Sequence, residues 1–513
     1  MKKDFIILNI IFAVVSVIIL NIIFYFGFIR FDLTRNKIYS LSEASKKIIS
    51  KFDDYILIRA VFSKTLPEQF RFVKLYVEDL LKEYKIYSKG KIKYEFIDPQ
   101  QVNAKISEQE VYSMGIYPIE FTMLEKDKFE VKKGFMGIAM LYKGNKEVIP
   151  VVNNIENLEY DITSSLKKLT SKEKKVIGIL KSAKSKVFEE EFLEFKTQMS
   201  KFYDFKEIEI SSSTLNDVEG LLIVSPKENL KEEELFYLDQ FILSCKPVAF
   251  LLNRYDVDFN TFFVRKINSN IFDLINHYGV EIQEGLIVDP QCQKISLTMK
   301  QGFIIMQNIL DYPFIPIITQ INKNSYLVKD LSQVVLPFVS PIKMKENLEN
   351  VSYTILFETS KKSFVKKDIY SVNPLNDYFK MPKDAQRGPF IVGVELKGKF
   401  KTYFDGEKIK NLKFKIENYL AESCKENSRI IVISTGEFMD KEEVLIGNII
   451  DYLAQDYELL SIRSKKISLS PIKEISSGLK ILYRYFITLF PPFIVLFFGL
   501  YRWYLRKNKF VVL

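Results

Sequence analysis

The chain has 513 residues, of which 47% are apolar, and a formal net charge of +10 from 74 lysines and arginines against 64 acidic residues. This length predicts two or three domains, and the small charge excess, with no basic clusters interleaved with aromatics, argues against nucleic-acid binding. A single histidine and three widely spaced cysteines argue against a multi-histidine metal site and a complete disulfide framework, so we predict no metal and no other cofactor.

Both ends of the chain are apolar and predict membrane anchors. Residues 5–29 are uncharged and would form roughly 38 Å of helix, against a hydrocarbon core of about 30 Å. A cleaved signal peptide is the alternative, but the apolar run is too long for one. A second transmembrane helix is predicted at 481–505, followed by a basic cytoplasmic tail at 506–513; a buried C-terminal helix is the alternative. The positive-inside rule then places both termini in the cytoplasm and the bulk of the chain outside it.

The segment 31–160 predicts a small α/β domain. Ser40 and Glu43 match a capping box, so a helix is expected to begin there. Apolar residues spaced three or four apart between 70 and 84 predict a second helix. The lysine-rich stretch 167–175 is interpreted as a solvated linker. Strand-like runs occur at 55–63, 91–97, 118–124, 135–142 and 147–152.

Residues 174–465 predict a larger, doubly wound α/β domain. Short continuous apolar runs are typical of strands that are covered on both faces of a parallel sheet, and amphipathic helices lie between several of them. The stretch 211–219 is short for a crossover helix. Residues 290–428 are β-rich and are interpreted as an insertion before the last strand. The apolar runs are 176–180, 221–224, 248–252, 286–288 and 430–433.

Catalytic motifs are few. The one histidine, His277, lies at the end of a predicted helix, where an imidazole has a structural use, and we prefer that role to a catalytic one. The segment 393–399 (GVELKGK) has the spacing of a phosphate-binding loop, but Phe400 stands where a serine or threonine must bind magnesium, and the flanks alternate like a hairpin. We therefore predict no catalytic residue.

Small polar and acidic residues follow the predicted parallel strands. The carboxyl ends of such strands are where ligands bind in an open α/β sheet. The alternative is that these residues only form the caps and turns that any such fold requires. The candidate ligand-binding residues are Ser225, Asn253, Asp289, Thr435, Gly436 and Glu437.

Six segments, in order along the chain, form a recognisable set. They are FDLTRNKIYSLS at 31–42, KIKYEFIDP at 91–99, GLLIVSPKE at 220–228, YGVEIQEGLIVD at 278–289, VGVELKGKFKTYF at 392–404 and SRIIVISTGEF at 428–438. This set resembles gliding-motility-type ABC-transporter auxiliary proteins (the GldG-like family). The resemblance implies a class I glutamine-amidotransferase-like fold without catalysis for the larger domain. For the small domain it implies a thioredoxin-like fold, with Pro118 in the place of that fold's cis-proline and without its paired cysteines.

The resemblance also implies a function. It points to a non-enzymatic auxiliary component of an ABC transporter at a bacterial inner membrane, with two spans, whose extracytoplasmic domains couple a permease and an ATPase to the cell envelope. The implied partners are the permease, the ATPase, the membrane and an envelope component, with self-association as a further option. Two rivals stay open: a module that binds a solute or an envelope polymer and delivers it to the transporter, and a degenerate hydrolase that works through His277.

Overall fold

The computed structural model describes most residues between 40 and 462, with the longest gaps at 187–195 and 413–421, and some residues at 12–15 and 484–503. The chain divides into two compact units, Met1–Ile467 and Ser468–Leu513. The described helices of the first unit are α1 (Glu43–Ser50), α2 (Glu68–Tyr87), α3 (Glu108–Met114), α4 (Leu158–Thr170), α5 (Glu232–Leu243), α6 (Ile271–His277), α7 (Gly406–Lys410) and α8 (Glu443–Leu453).

The strands fall into a first group before α4 and a second group after it. The first group is β1 (Ile56–Phe62), β2 (Ile92–Ile97), β3 (Ile119–Glu125), β4 (Lys128–Gly134), β5 (Met136–Tyr142) and β6 (Asn145–Ile149). The second group begins with β7 (Lys175–Leu180), β8 (Tyr203–Ile208), β9 (Gly220–Val224), β10 (Val248–Leu251), β11 (Tyr255–Val257), β12 (Val264–Lys266), β13 (Val280–Ile282) and β14 (Leu286–Val288). It continues with β15 (Cys292–Gln301), β16 (Ile304–Ile318), β17 (Gln320–Ile321), β18 (Val334–Val335), β19 (Ile342–Met344), β20 (Val351–Glu358), β21 (Phe364–Lys366), β22 (Ile391–Gly398) and β23 (Ser428–Ile433).

The first group builds a four-stranded sheet in the order β2-β1-β5-β6. Strands β1 and β2 are parallel, whereas β5 is antiparallel to both β1 and β6. Helix α2 buries Val77, Leu81 and Tyr84 in the core of this sheet, which follows from the apolar spacing in the sequence. Strands β3 and β4 form a separate hairpin, of which the sequence pattern predicts only the first strand.

The first helix begins two residues later than the capping-box pattern predicted. Its N-cap is Ser42, whose hydroxyl accepts a hydrogen bond from the Ser45 amide at 3.2 Å. The amide of Ser42 donates to Glu159 of α4 at 2.7 Å, so a distant carboxylate does what Glu43 was expected to do. The predicted cis-proline is also wrong, because the cis peptide bond of the described residues joins Gly388 to Pro389. The thioredoxin-like assignment stays a prediction.

The second group builds a ten-stranded sheet that is parallel from the edge strand β8 to β23. The parallel strands lie in the order β8-β7-β9-β10-β23, and β22, β19 and β13 extend the sheet in antiparallel fashion. In chain order the five parallel strands read 2-1-3-4-5. Between β8 and β9, the stretch that seemed too short for a crossover helix contains a single 3₁₀ turn, Thr214–Asp217.

Alternate residues of the parallel strands enter two different cores. Leu222 and Val224 of β9 pack on one face with α8, whereas Leu221 and Ile223 pack on the other face with α5 and α6. The sheet is therefore covered on both faces, which is why its strands read as continuous apolar runs. One run was assigned wrongly: β14 pairs with β21 outside the main sheet. An apolar run of three residues indicates burial, and it does not indicate which sheet the strand joins.

The stretch predicted as a solvated linker begins within helix α4 and ends at the start of strand β7. Helix α4 continues to Thr170, and Lys167 forms a salt bridge of 2.6 Å with Asp456, which is almost fully buried. Lys168 pairs with Glu147 at 2.6 Å. These lysines therefore connect elements of the fold, and the charge pattern alone could not show that their partners are distant in sequence.

Among the described residues, no helix is long and apolar enough to cross a membrane. The predicted first span, 5–29, lies outside the described residues apart from Phe12 and Val15. The predicted second span, 481–505, is described only in part, at some residues from 484 to 503. This finding corrects the two terminal transmembrane helices of the predicted fold class and the two-span localisation at an inner membrane. An uncharged run shows apolarity, which is not the same as a continuous helix of spanning length.

Candidate functional site

The candidate site lies where the connections of the parallel sheet change direction. The chain leaves β7 towards β8 on one side and leaves β9 towards β10 on the other, so the crevice of the sheet lies at the carboxyl ends of β7 and β9. The loop after β7 reaches this crevice, since the Lys186 amide donates to the Val224 carbonyl at 2.9 Å. Ser225 follows β9 directly and has a positive φ of 44°, which turns the chain sharply at the strand end.

Asn253, at the end of β10, is the centre of a hydrogen-bond network. Its side-chain oxygen accepts from the Ser225 hydroxyl at 3.0 Å and from the Gly436 amide at 2.6 Å. Its side-chain nitrogen donates to Glu437 Oε1 at 2.6 Å. Ser225 and Asn253 are both buried. Three strand ends, those of β9, β10 and β23, are therefore held together by one amide side chain.

The network opens to solvent at Glu437. Its second oxygen, Oε2, accepts from the Lys186 ammonium group at 2.5 Å, and the lysine side chain is 39% exposed whereas the glutamate side chain is 15% exposed. Lys186 is not among the residues predicted from the sequence, because those follow β9, β10, β14 and β23, whereas Lys186 lies in the loop after β7. Including every parallel strand end would have identified it.

The loop after β23 is held by Thr435 and Gly436. The buried Thr435 hydroxyl donates to the Pro337 carbonyl at 2.7 Å and accepts from the Glu437 amide at 3.2 Å. A Cβ at position 436 would lie 2.6 Å from Ser225 Oγ and 2.8 Å from Val224 Cγ1, which is closer than atoms approach without displacement. Glycine is therefore needed for the loop to pack against the end of β9.

Asp289 lies in a different environment from the other candidates. It follows β14, outside the main sheet, and its buried carboxylate accepts from the Gln291 amide at 2.9 Å. It also accepts from the Ser360 hydroxyl at 2.6 Å and the Ser360 amide at 2.9 Å. These bonds fix two loops. The structure thus brings five of the six candidate residues together and shows Asp289 bonded elsewhere.

The arrangement offers hydrogen bonds and one ion pair, but no activated nucleophile. The Ser225 hydroxyl donates to an amide oxygen, which cannot take up a proton as a general base does. His277 is exposed at the end of α6, and its Nε2 lies 3.1 Å from the Lys401 carbonyl oxygen. Within the described part of the chain, no group of three or more histidine, cysteine or acidic side chains could hold a metal ion. The segment 393–399 lies in the antiparallel strand β22 rather than in a phosphate-binding loop.

A second buried carboxylate, Asp239 of α5, connects helices instead of forming a site. Burial raises the pKa of Asp239, and hydrogen bonds from Thr402, Tyr278 and the Tyr403 amide oppose that rise. The Thr402 hydroxyl lies 2.6 Å and the Tyr403 amide 2.9 Å from the carboxylate. Burial and then the charge of Asp239 raise the pKa of Tyr278 well above its usual value. This cluster joins α5, the residue after α6 and the loop after β22.

Comparisons with known proteins match two separate ranges of the chain. Residues 174–454 match the model of a family described as an ABC-type uncharacterized transport system, and residues 35–141 match a domain of unknown function. A protein of Borreliella burgdorferi described as uncharacterized is 26% identical over 494 residues, which cover 94% of each chain. Among solved structures, the mmIFT52 N-terminal domain is 12% identical and covers 54% of this chain and 96% of that one, with a TM-score of 0.33 that is too low to carry an argument.

Proposed function

Since the chain belongs to the family described as an ABC-type uncharacterized transport system, we propose that it is a non-enzymatic accessory subunit that binds the permease and the ATPase of such a system. The observation that carries this proposal is the extent of the family match, which begins at β7 and ends at α8 and so includes the whole parallel sheet. The chemistry of the strand ends supports it, because Ser225 there has an amide as its partner and not a base.

The test is co-purification from the native cells, followed by reconstitution with any permease and ATPase that are recovered. Affinity-tagged chain, purified from solubilised cells, should bring down a permease and an ATPase in fixed proportion. Adding the purified chain to the permease–ATPase complex should change its rate of ATP hydrolysis, whereas the chain alone should hydrolyse none. Purification without either subunit, together with an unchanged rate in the reconstituted complex, would refute the proposal.

A second candidate function is the binding of a small polar ligand at the strand ends. The observation that favours it is the half-exposed ion pair between Lys186 and Glu437, which stands on the buried network of Ser225, Asn253 and Gly436. A charged pair held rigidly at the crevice of an α/β sheet could exchange its internal contact for contacts with a zwitterion or a sugar.

This second function is tested by thermal stabilisation with amino acids, oligosaccharides and short peptides. A ligand at a hundred times its dissociation constant stabilises the fold by about 2.7 kcal/mol. The double variant Lys186→Met, Glu437→Gln should lose that shift. The matched control is Lys206→Met with Asp217→Asn, which removes an exposed pair of 2.8 Å elsewhere on the sheet and should retain the shift. Stabilisation that survives the first double variant would exclude this site.

A further inference from the structure

Strand β2 is an edge strand with peptide groups available for pairing. The Ile56 amide of β1 donates to the Lys91 carbonyl at 3.0 Å, so alternation along the parallel ladder directs the peptide groups of Ile92, Tyr94 and Phe96 to the outer edge. The Ile92 amide is bonded to the Ser88 hydroxyl at 3.0 Å. The peptide N–H and C=O groups of Tyr94 and Phe96 face no other strand in the described part of the chain. An edge of this kind is a template for a further strand.

A groove lies between α2 and Tyr94 of this strand. Its volume is about 720 Å³, which is in the range of known binding sites. Tyr94 from the strand and Ile86 from the helix give it an apolar surface, and the Ile86 side chain is 59% exposed. The groove is lined by Asp79, Lys82, Glu83, Lys85, Ile86, Lys89, Gly90 and Tyr94.

The groove is lined by three lysines and two acidic residues, Asp79 and Glu83, of which Glu83 is buried. Lys82 lies 3.1 Å from Glu78 and 3.7 Å from Asp79, so its charge is compensated within α2. Within the described residues, Lys85 and Lys89 form no salt bridge. They stand at the end of α2 and in the turn before β2. A strand that enters the groove would therefore be favoured if it carried carboxylates.

We propose that the groove between α2 and β2 is a docking site for an extended, carboxylate-bearing segment of a partner protein, which adds as a strand to the outer edge of β2. Main-chain hydrogen bonds to Tyr94 and Phe96 supply general affinity, and alternate side chains of the segment reach Ile86 and the two lysines. The site is separate from the strand-end network and does not depend on transporter membership.

The test uses the full chain and labelled synthetic peptides, with binding followed by fluorescence anisotropy. The probe is the acetylated peptide TEVEVET, and its charge-reversed counterpart is TKVKVKT. The acidic peptide should bind at least tenfold more tightly than the basic one. The same acidic peptide with every backbone amide N-methylated keeps its carboxylates but cannot donate hydrogen bonds, and it should lose binding.

Two double variants distinguish the effect of the groove lysines on peptide binding from the effect of net charge. Lys85→Glu with Lys89→Glu should weaken binding of TEVEVET at least tenfold. The matched control, Lys361→Glu with Lys362→Glu, makes the same charge change at exposed positions of another turn and should leave binding unchanged. Thermal melting confirms that both variants fold. Equal binding of both peptides, retained binding after N-methylation, or equal effects of the two double variants would overturn the proposal.

Discussion

At the scale of single residues, the packing of Gly436 decides whether the loop after β23 can approach β9. In Gly436→Ala the added methyl group would lie 2.6 Å from Ser225 Oγ, so the network must move. We expect a loss of about 1–3 kcal/mol in the free energy of unfolding, which is typical of overpacking in a well-packed interior. Urea unfolding followed by circular dichroism would measure it.

The control for this substitution is Gly406→Ala. No heavy atom lies within 4 Å of a Cβ built at Gly406, so the free energy of unfolding should stay within about 0.5 kcal/mol of the unmodified chain. If both substitutions had the same effect, the close contact at Gly436 would not be the cause.

The raised pKa of Asp239 predicts how the free energy of unfolding depends on pH. Because burial raises its folded-state pKa above the unfolded value, the native state binds the proton more tightly than the unfolded state does. The contribution of Asp239 to the free energy of unfolding is complete below the unfolded-state pKa of about 3.9. It is lost as the pH rises through the folded-state pKa. The difference in unfolding free energy between the unmodified chain and Asp239→Asn should therefore fall as the pH rises above about 4.

Asp217 is the control with the opposite sign. A hydrogen bond from Lys206 lowers the pKa of this exposed carboxyl. The contribution of Asp217 to the free energy of unfolding is therefore present above the unfolded-state pKa and is lost as the pH falls through the folded-state pKa. Urea unfolding of both variants at several pH values from 3 to 8 would measure the two slopes. Slopes of the same sign for Asp239→Asn and Asp217→Asn would contradict the assignment.

The residue types of the candidate site could be predicted from the sequence, but their partners could not. Strand-end positions follow from the apolar runs, and this identified Ser225, Asn253 and Glu437. The pairing of Lys186 with Glu437 joins residues 251 positions apart, which no local pattern encodes. Asp289 was grouped with the others because its strand was assigned to the main sheet, whereas β14 pairs with β21.

At the scale of elements, α4 connects the first sheet to the second domain. The hydroxyl groups of Tyr160 in α4 and Tyr203 in β8 both donate to Asp451 Oδ1 in α8, at 3.2 Å and 2.9 Å. All three side chains are buried, and the two tyrosines belong to different hydrophobic cores. Burial and then the charge of Asp451 raise the pKa of Tyr203, which keeps its hydroxyl protonated as a donor.

Tyr203→Phe should therefore cost about 1–2 kcal/mol, because it removes one donor from a buried carboxylate and leaves the ring in place. Tyr326→Phe is the control, since the Tyr326 side chain is 64% exposed, and it should change stability by less than about 0.5 kcal/mol. Hydrogen exchange of α4 should increase in the first variant alone. Unchanged exchange with unchanged stability would show that this contact does not hold the two cores together.

The spacing of apolar residues predicts helices and strands where burial is regular, and it does not predict them where burial is irregular. The apolar spacing of α2 and the continuous runs of β9, β10 and β23 follow directly from one-sided and two-sided burial. Strand β4 carries several lysines and reads as polar, so its pairing with β3 is visible only in the structure. The last four residues of α4 fall in the stretch 167–175 that the sequence predicts as a solvated linker, whereas Lys167 binds a buried carboxylate.

At the scale of the whole molecule, the buried network at the strand ends is distinct from the surfaces that are proposed to bind partners. The polar groups at the strand ends bond to one another, whereas the edge of β2 and the ion pair at Lys186 face solvent. An accessory subunit needs such a division, because it must hold its shape while it offers surfaces to larger partners.

Residues near the end of the first unit pack in the core of the first sheet, and this predicts how truncation changes the stability of that sheet. Leu459 and Ile462 are buried in the core of the first sheet, together with Ile58 and Leu81, about 400 residues earlier in the chain. A chain that ends after residue 467 keeps both side chains and should unfold in urea like the full chain. A chain that ends after residue 456 loses both, and burial of each stabilises by about 1.5–3 kcal/mol. The shorter chain should therefore lose roughly 3–6 kcal/mol from the first domain, with faster hydrogen exchange in α2. Identical urea midpoints for the two truncated chains would show that the first sheet does not depend on this distant segment.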